Sequence, residues 1–116
     1  MQSLTQLSQC WDPTRTTTAT ALTTSELTLL LQALPNWRWL QQSEWQLQRQ
    51  FQFDDFAEAW RFCDEIAALA ELHQHHPQLI LSWGQLTVTW WTHRLASVQM
   101  NDVALAATTE LLYQQR

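Results

Sequence analysis

The stretch that decides the fold is EWQLQRQFQF, at residues 44–53. Glutamines alternate along it with apolar side chains, namely Trp45, Leu47, Phe51 and Phe53, and Arg49 alone interrupts the apolar set. Because side chains along a β-strand point alternately to its two faces, this pattern predicts a strand with one apolar and one amide-rich face. The preceding WRWL, at residues 37–40, is predicted to pair with this strand as a hairpin across QQSE.

Two helices are predicted on either side of this hairpin. Residues 23–34 follow a Thr/Ser capping signal with Glu26 in the first turn, show apolar spacing typical of a helix, and end before Pro35. Residues 54–73 form a longer amphipathic pattern, with Asp54 or Asp55 as the candidate cap. The buried stripe predicted for this long helix consists of Phe56, Trp60, Cys63, Ala67 and Ala70, widened by Ile66 and Leu69.

A second hairpin and a last helix complete the pattern. Residues 79–83 and 86–93 are predicted strands around Gly84, and residues 102–113 are a predicted helix. In the last strand, Leu86, Val88 and Trp90 are predicted to share one face, and Thr87, Thr89, Trp91 and His93 the other. The order α-β-β-α-β-β-α favours an α+β fold, in which helices cover one face of a four-stranded antiparallel sheet. Residues 1–20 are predicted to be a polar tail, pinned at Leu4, Leu7 or Trp11, ahead of a domain at 21–116.

The composition excludes several classes of partner. Charged residues make up only 15% of the 116, the net charge is −5, and the six basic residues are scattered arginines. This distribution argues against binding to nucleic acid or to an anionic membrane surface. The chain starts without a signal-peptide pattern, and no apolar run approaches the length of a membrane span. Because Cys10 and Cys63 do not suggest a disulfide framework, we expect a protein of the reducing cytoplasm.

Three of the four histidines lie in ELHQHHP, at residues 71–77, and this density has three possible explanations. The first explanation is that the histidines are solvated at a helix end, where imidazolium interacts favourably with the helix dipole. A metal site is disfavoured because the spacing matches no usual zinc pattern and adjacent His75 and His76 diverge. The third explanation is proton transfer near neutral pH, which histidine supports with little adjustment of its pKa.

The signature of the pterin-4a-carbinolamine dehydratase family resembles one spacing in this chain, namely Glu71-x3-His75-His76-Pro77-x5-Trp83-x9-His93-x8-Asp102. The resemblance extends over about residues 21–113, and it includes the second strand, the long helix and the final helix. It implies an α+β fold that assembles as a homodimer or homotetramer. It also implies dehydration of 4a-hydroxytetrahydrobiopterin, or a related pterin, to the quinonoid dihydropterin. That reaction uses no metal and no separate cofactor, and it recycles the pterin of phenylalanine hydroxylase.

The resemblance also implies roles for individual residues. His75 and His93 would be the acid/base pair that protonates the departing 4a-hydroxyl group, while His76 would orient the pterin or accept its N5 proton. The remaining motif residues would bind substrate: Glu71 near His75, Trp83 as a pocket wall, Thr92 through backbone or hydroxyl contacts, and Asp102. For Asp102 two roles stay open at this point, because a residue that opens a helix can cap it or bind a catalytic histidine. His73 falls outside the motif and is predicted to be solvated.

The chain departs from the family pattern at Gln74, Leu79, Trp91 and residues 97–99. Ser97-Val98-Gln99 replaces the usual entry to the last helix, which predicts that the usual cap is lost. These departures affect the fit of the substrate more than the fold. The alternative function is therefore a non-catalytic relative that acts as a protein-binding adaptor or a Rubisco assembly factor, since the eight tryptophans would suit an interface.

Overall fold

The computed structural model describes residues 2–41 and 43–116, and it confirms the α+β fold predicted from the sequence. The helices are α1 (Leu4–Ser8), α2 (Arg15–Thr18), α3 (Thr24–Leu30), α4 (Phe56–His73) and α5 (Met100–Gln114). The strands are β1 (Arg38–Gln41), β2 (Trp45–Gln52), β3 (Gln78–Ser82) and β4 (Gln85–Trp90), and short 3-10 turns occupy Leu31–Ala33 and His93–Leu95.

The four strands form one antiparallel sheet in the order β1-β2-β4-β3. Leu47 pairs with Trp90 and Phe51 pairs with Leu86, so the apolar sides of β2 and β4 lie on one face. All four side chains are fully buried, beneath α4 and α5. The glutamines of β2 alternate with them and lie on the opposite face, as the sequence pattern predicted.

Arg49 interrupts the apolar pattern of β2, and the structure explains how a charged side chain is accommodated on the core face. Its guanidinium group pairs with the carboxylate of Glu110 on α5, which also accepts a hydrogen bond from the Trp37 indole at 2.9 Å. The guanidinium lies over the rings of Phe51 and Tyr113. A buried charge needs such a partner because its desolvation is costly.

Helix α4 begins where predicted, because the Asp55 side chain accepts a hydrogen bond from the Glu58 N–H at 2.8 Å. The predicted buried stripe of this helix is correct at Ile66 and Ala70 but wrong at Phe56, Trp60 and Ala67, which are exposed. Phe56 and Trp60 are 45% and 54% exposed. The residues that face the sheet are Ala59, Phe62, Ile66 and Ala70. Both stripes have helical periodicity, and the small side chains of Ala59 and Ala70 allow the second one to approach the strands closely.

The segment predicted to be a polar tail contains helices α1 and α2. Ser3 and Gln6 form a reciprocal capping box at the start of α1. Leu7 is fully buried in the core, α1 packs on α5, and Leu4 and Trp11 are partly buried against the same core. An i,i+3 pair of leucines and a capping box are enough to hold this short helix in place once a surface is available to receive it. The domain boundary at residue 20 stays a prediction.

The chain's single glycine lies at a position where a residue with a side chain would be strained. Gly84, in the turn between β3 and β4, has φ of +66°, and a Cβ atom there would lie 3.0 Å from the Phe53 carbonyl oxygen. The left-handed conformation alone costs an L-residue about 1–2 kcal/mol. We therefore expect Gly84→Ala to lower the free energy of unfolding by at least about 1 kcal/mol in urea titrations. Ser82→Ala, in the same hairpin, is the control, and equal stability of the two variants would contradict this account.

Candidate active site

The end of α4 turns the chain so that His75 leaves the helix axis. Gln74 adopts the left-handed conformation with φ of 50° and ψ of 42°. The N–H of His75 donates to the Ala70 carbonyl at 3.1 Å, and the N–H of Gln74 donates to the Glu71 carbonyl at 3.3 Å. These two bonds form a Schellman motif, which commonly ends helices. Pro77 follows, and no further helical turn is possible through it.

The most buried part of the site is a pair formed by His75 and Asp102. The Nε2 atom of His75 lies 2.6 Å from Oδ1 of Asp102, and the side chain of Asp102 is completely buried. The second carboxylate oxygen accepts hydrogen bonds from the Thr92 hydroxyl at 2.7 Å and from the Gln99 N–H at 2.9 Å. An ionised carboxylate only accepts hydrogen bonds, so an imidazole that bonds to it through Nε2 carries a proton on that nitrogen.

Asp102 performs both of the roles that the sequence left open. It occupies the third position of α5 and completes a capping box with Gln99, whose own side chain accepts from the Asn101 N–H at 3.2 Å. The same carboxylate binds His75. The usual hydroxyl cap is lost at residues 97–99, as the sequence predicted, but the helix is still capped because the Gln99 amide oxygen takes the place of that hydroxyl group.

Aromatic rings hold the imidazole of His75 on two sides. The Trp90 ring is nearly parallel to it, with an interplanar angle of 20° and a centroid distance of 6.0 Å. The Trp11 ring meets it edge-on, also at 6.0 Å. Because its side chain is only 11% exposed, His75 has little freedom to rotate away from Asp102.

His76 and Glu71 form a second pair, in a very different environment. The His76 Nε2 atom lies 2.7 Å from Glu71 Oε2, and the two side chains are 57% and 71% exposed. The spacing placed Glu71 close enough to orient an imidazole or to contact the pterin ring, and the imidazole that it contacts is that of His76. Exposed pairs of this kind contribute at most about 1 kcal/mol to stability. This imidazole is accessible to a ligand.

The sequence predicted that His93 lies on the last strand, and this prediction is wrong. Strand β4 ends at Trp90, an isolated bridge joins Thr92 to Ser97, and His93 opens a 3-10 turn. The imidazole is exposed and packs against the Trp91 indole, with centroids 4.4 Å apart. Strand periodicity cannot predict this change of direction, because the bridge that causes it depends on a residue further along the chain.

A cavity of about 340 Å³ joins these elements. The predicted site residues His75, His76, His93 and Thr92 all line it. Its other lining residues were missed from the sequence, namely Thr16, Gln74, Arg94 and Gln99. The amide, hydroxyl and guanidinium groups of these side chains are suited to the edge of a flat heterocycle, but nothing in their local sequence pattern signals that they converge.

Three predicted site residues do not line the cavity: Glu71 and Asp102 bond to lining histidines, whereas Trp83 lies away from it. Trp83 occupies the turn between β3 and β4, where it is 73% exposed. The five residues of β3 separate it from the histidines, which at roughly 3.3 Å per residue is a distance on the order of 16 Å. The single chain therefore does not use Trp83 as a wall of this cavity.

The described residues, 2–41 and 43–116, include no group of three or more His, Cys, Asp or Glu side chains placed to hold a metal ion. Within the same residues, no helix is both long enough and apolar enough to cross a membrane. Cys10 and Cys63 are both free thiols.

The fold and the site define an α+β protein with a buried histidine–carboxylate pair beside a cavity that three histidines line. The model of the family Pterin 4 alpha carbinolamine dehydratase matches residues 20–112. A relative from Marinobacter nauticus, named "Putative pterin-4-alpha-carbinolamine dehydratase", is 43% identical over 82% of this chain and 86% of its own length. A relative from Saccharophagus degradans with the same name is 44% identical over 77% of this chain and 80% of its own. The chain belongs to the pterin-4a-carbinolamine dehydratase family.

Solved structures agree with this assignment. A transcriptional coactivator/pterin dehydratase from Brucella melitensis superposes with a TM-score of 0.74 at 30% identity, over 80% of this chain and 98% of that one. A pterin dehydratase-like protein, identified as a RuBisCO assembly factor in the alpha-carboxysome, superposes with a TM-score of 0.58 at 26% identity. It covers 67% of this chain and 89% of its own.

The sequence predicted that His73 is solvated, and this prediction is wrong. The side chain is half-buried against the Trp11 ring, with ring centroids 4.5 Å apart. Burial lowers the pKa of His73 below its ordinary value of 6.5, and the nearby His75 lowers it further. On acidification the unfolded chain therefore binds a proton at this position before the folded chain does. Stability is lost as the pH falls through 6.5 toward the folded-state pKa.

We expect His73→Gln to make the free energy of unfolding less sensitive to pH below 6.5, because the substitution removes this proton uptake. Urea titrations at several pH values between 7.5 and 5.5 measure the effect, a range chosen to span roughly one unit on either side of an ordinary histidine. Leu72→Gln, one residue earlier and exposed, is the matched control and should keep the wild-type pH dependence. Parallel pH profiles for His73→Gln and the wild type would contradict the assignment.

Proposed function

We propose that this protein dehydrates 4a-hydroxytetrahydrobiopterin, or a close relative, to the quinonoid dihydropterin by histidine acid/base catalysis. The observation that carries the proposal is the buried pair of His75 and Asp102 at a cavity that His76 and His93 also line. Family membership supplies the substrate class, and this arrangement provides the groups that the reaction needs. The assigned groups are all protein side chains, and the proposal includes no metal or cofactor.

The reaction breaks the bond between C4a and its hydroxyl oxygen and forms a double bond between C4a and N5. An acid donates a proton to the hydroxyl group, which leaves as water, and a base removes the proton from N5. Hydroxide itself is a poor leaving group, so the protonation matters most. A positioned acid or base typically contributes about 10²–10⁴-fold to the rate. Imidazole suits both steps because its ordinary pKa lies near neutral pH.

In this proposal His75 and His93 are the acid/base pair, and His76 orients the pterin or accepts the N5 proton. Asp102 and Thr92 act mainly through His75: the carboxylate holds the imidazole by Nε2, and the Thr92 hydroxyl donates to the carboxylate. Such support fixes the tautomer and keeps Nδ1 available for proton transfer. Glu71 plays the corresponding role for His76, with which it is paired.

The proposal includes assembly of the chain into a homodimer or homotetramer. Phe56 and Trp60, which are one turn apart on α4, are exposed on the single chain, and so is Trp83 in the turn after β3. Contiguous exposed apolar surface usually marks an interface. The proposal also includes a functional link to a pterin-dependent hydroxylase of the phenylalanine hydroxylase type, because such an enzyme generates the 4a-hydroxypterin.

A second candidate function is that of a protein-binding adaptor or Rubisco assembly factor without catalysis. Two observations favour it, namely the similarity to the alpha-carboxysome assembly factor and the exposed aromatic residues. The complete histidine set favours the enzyme, since an adaptor has no need of a buried histidine–carboxylate pair. Stable co-elution with purified Rubisco on size exclusion, together with absence of turnover, would support the adaptor.

We expect the purified protein to accelerate the decay of chemically generated 4a-hydroxytetrahydropterin in stopped-flow absorbance measurements. His75→Ala and His93→Ala should each lower kcat by about 10²–10⁴-fold, because each removes a proton-transfer group. Leu72→Gln, whose exposed position lies outside the cavity, is the control and should retain wild-type turnover. If the wild type is no faster than buffer, the enzymatic proposal fails.

We expect Asp102→Asn to lower kcat by about 10–100-fold, the scale on which losing a supporting hydrogen-bond partner impairs a metal-binding histidine. An asparagine amide offers one acceptor oxygen and two donor hydrogens, so it cannot accept from His75, Thr92 and Gln99 at once. Asp55→Asn makes the same chemical change at the cap of α4, where asparagine is an equally good cap, and should leave turnover unchanged. Circular dichroism checks folding, and full activity of a folded Asp102→Asn variant would contradict the role of Asp102.

A further inference from the structure

We propose that residues 10–19, which precede the part of the chain matched by the family model, form a wall of the pterin cavity and set its affinity for substrate. The inference rests on the proposed function. It concerns a segment that the sequence suggested to be a tail and that the structure docks beside the catalytic histidines.

Asn101, a fully buried residue in the first turn of α5, anchors the segment to that helix. The Asn101 side chain accepts a hydrogen bond from the Asp12 N–H at 3.0 Å and donates to the Asp12 carbonyl at 2.9 Å. Its oxygen also accepts from the Arg15 guanidinium group at 3.2 Å. A buried amide whose donor and acceptor both serve one backbone position fixes that position in place.

Two residues that line the cavity, Gln99 and Arg94, donate hydrogen bonds to backbone carbonyl groups of the segment. The Gln99 amide donates to the Arg15 carbonyl at 3.2 Å. The Arg94 guanidinium donates to the Thr16 carbonyl at 3.2 Å and to the Ala19 carbonyl at 2.9 Å. Thr16 itself lines the cavity together with Gln99 and Arg94. The segment therefore contributes one part of the wall and orients two others.

Trp11 brings the segment into contact with the end of α4. Its ring packs against His73 at 4.5 Å and meets the edge of His75 at 6.0 Å. Between Trp11 and Thr16 the chain is stiffened locally, because the Asp12 carboxylate accepts hydrogen bonds from the N–H and the hydroxyl of Thr14, at 2.9 and 2.8 Å. A stiff segment with anchors at both ends behaves as a wall rather than as a loose tail.

The test releases the segment without altering a residue that lines the cavity. Asn101→Ala removes the three hydrogen bonds to residues 12 and 15, and Thr108→Ala, which removes a hydroxyl bond to the Ala104 carbonyl further along α5, is the matched control. Trypsin cleavage after Arg15, followed by mass spectrometry, reports docking of the segment independently of activity. Stopped-flow turnover of 4a-hydroxytetrahydropterin reports KM and kcat.

We expect Asn101→Ala to speed cleavage after Arg15 at least about tenfold and to raise KM about 5–10-fold, with kcat within about threefold of wild type, because the wall contributes binding rather than proton transfer. Thr108→Ala should match the wild type in all three measurements. Trp11→Ala provides a second variant in case Asn101→Ala does not fold. It should raise KM similarly, and Trp11→Phe should restore part of the affinity.

Three results would overturn the inference. One is faster cleavage of Asn101→Ala with KM and kcat within about twofold of wild type, since the segment would then be released without effect on binding. Another is cleavage after Arg15 in the wild type as fast as in Asn101→Ala, since the segment would not be docked. The third is an unchanged KM in Trp11→Ala. Absence of turnover in the wild type would instead remove the proposed function itself, and the inference with it.

Discussion

The buried carboxylate of Asp102 is the constraint on which the site depends. Because it is fully buried, its charge is tolerable only with several donors around it. It has three: the His75 ring, the Thr92 hydroxyl and the Gln99 N–H. These donors belong to the end of α4, the chain after β4 and the start of α5. One desolvated charge thus ties three elements together, and it sets the tautomer of the histidine at the same time.

The rest of the architecture places that carboxylate within reach of His75. The sheet buries Leu47, Phe51, Leu86 and Trp90 beneath α4 and α5. The C-terminal end of α4 and the N-terminal end of α5 meet near the end of β4, where His75 bonds to Asp102 and faces the Trp90 ring. The left-handed residue Gln74 then directs the chain out of α4 toward β4. At the opposite end of α5, the pair of Arg49 and Glu110 compensates a second buried charge. Two charged residues in the core are therefore each matched by a specific partner.

The family assignment is consistent with this arrangement, and proteins of this fold are described with more than one function. Structural neighbours include a protein described as a coactivator and pterin dehydratase and one described as a RuBisCO assembly factor. What separates the two functions is the chemistry of the cavity. A surface for a protein partner benefits from exposed aromatic rings, whereas proton transfer needs a histidine whose orientation is held by a buried acceptor. This chain has both features, in different regions of its surface.

Much of the fold could be predicted from the sequence, because local periodicity reflects which residues a strand or helix turns toward the core. The alternation in residues 44–53 and the caps at Thr23 and Asp55 are of this kind, and so is the motif spacing that identifies the family. Only the tertiary structure decided which stripe of α4 is buried, since Phe56 and Ala59 belong to two stripes with the same period. It also decided that Asp102 both caps α5 and binds His75, and that Asp12 is held by Asn101. Those contacts join residues 27 and 89 positions apart, and they exist only once the sheet and helices have packed and excluded water from them.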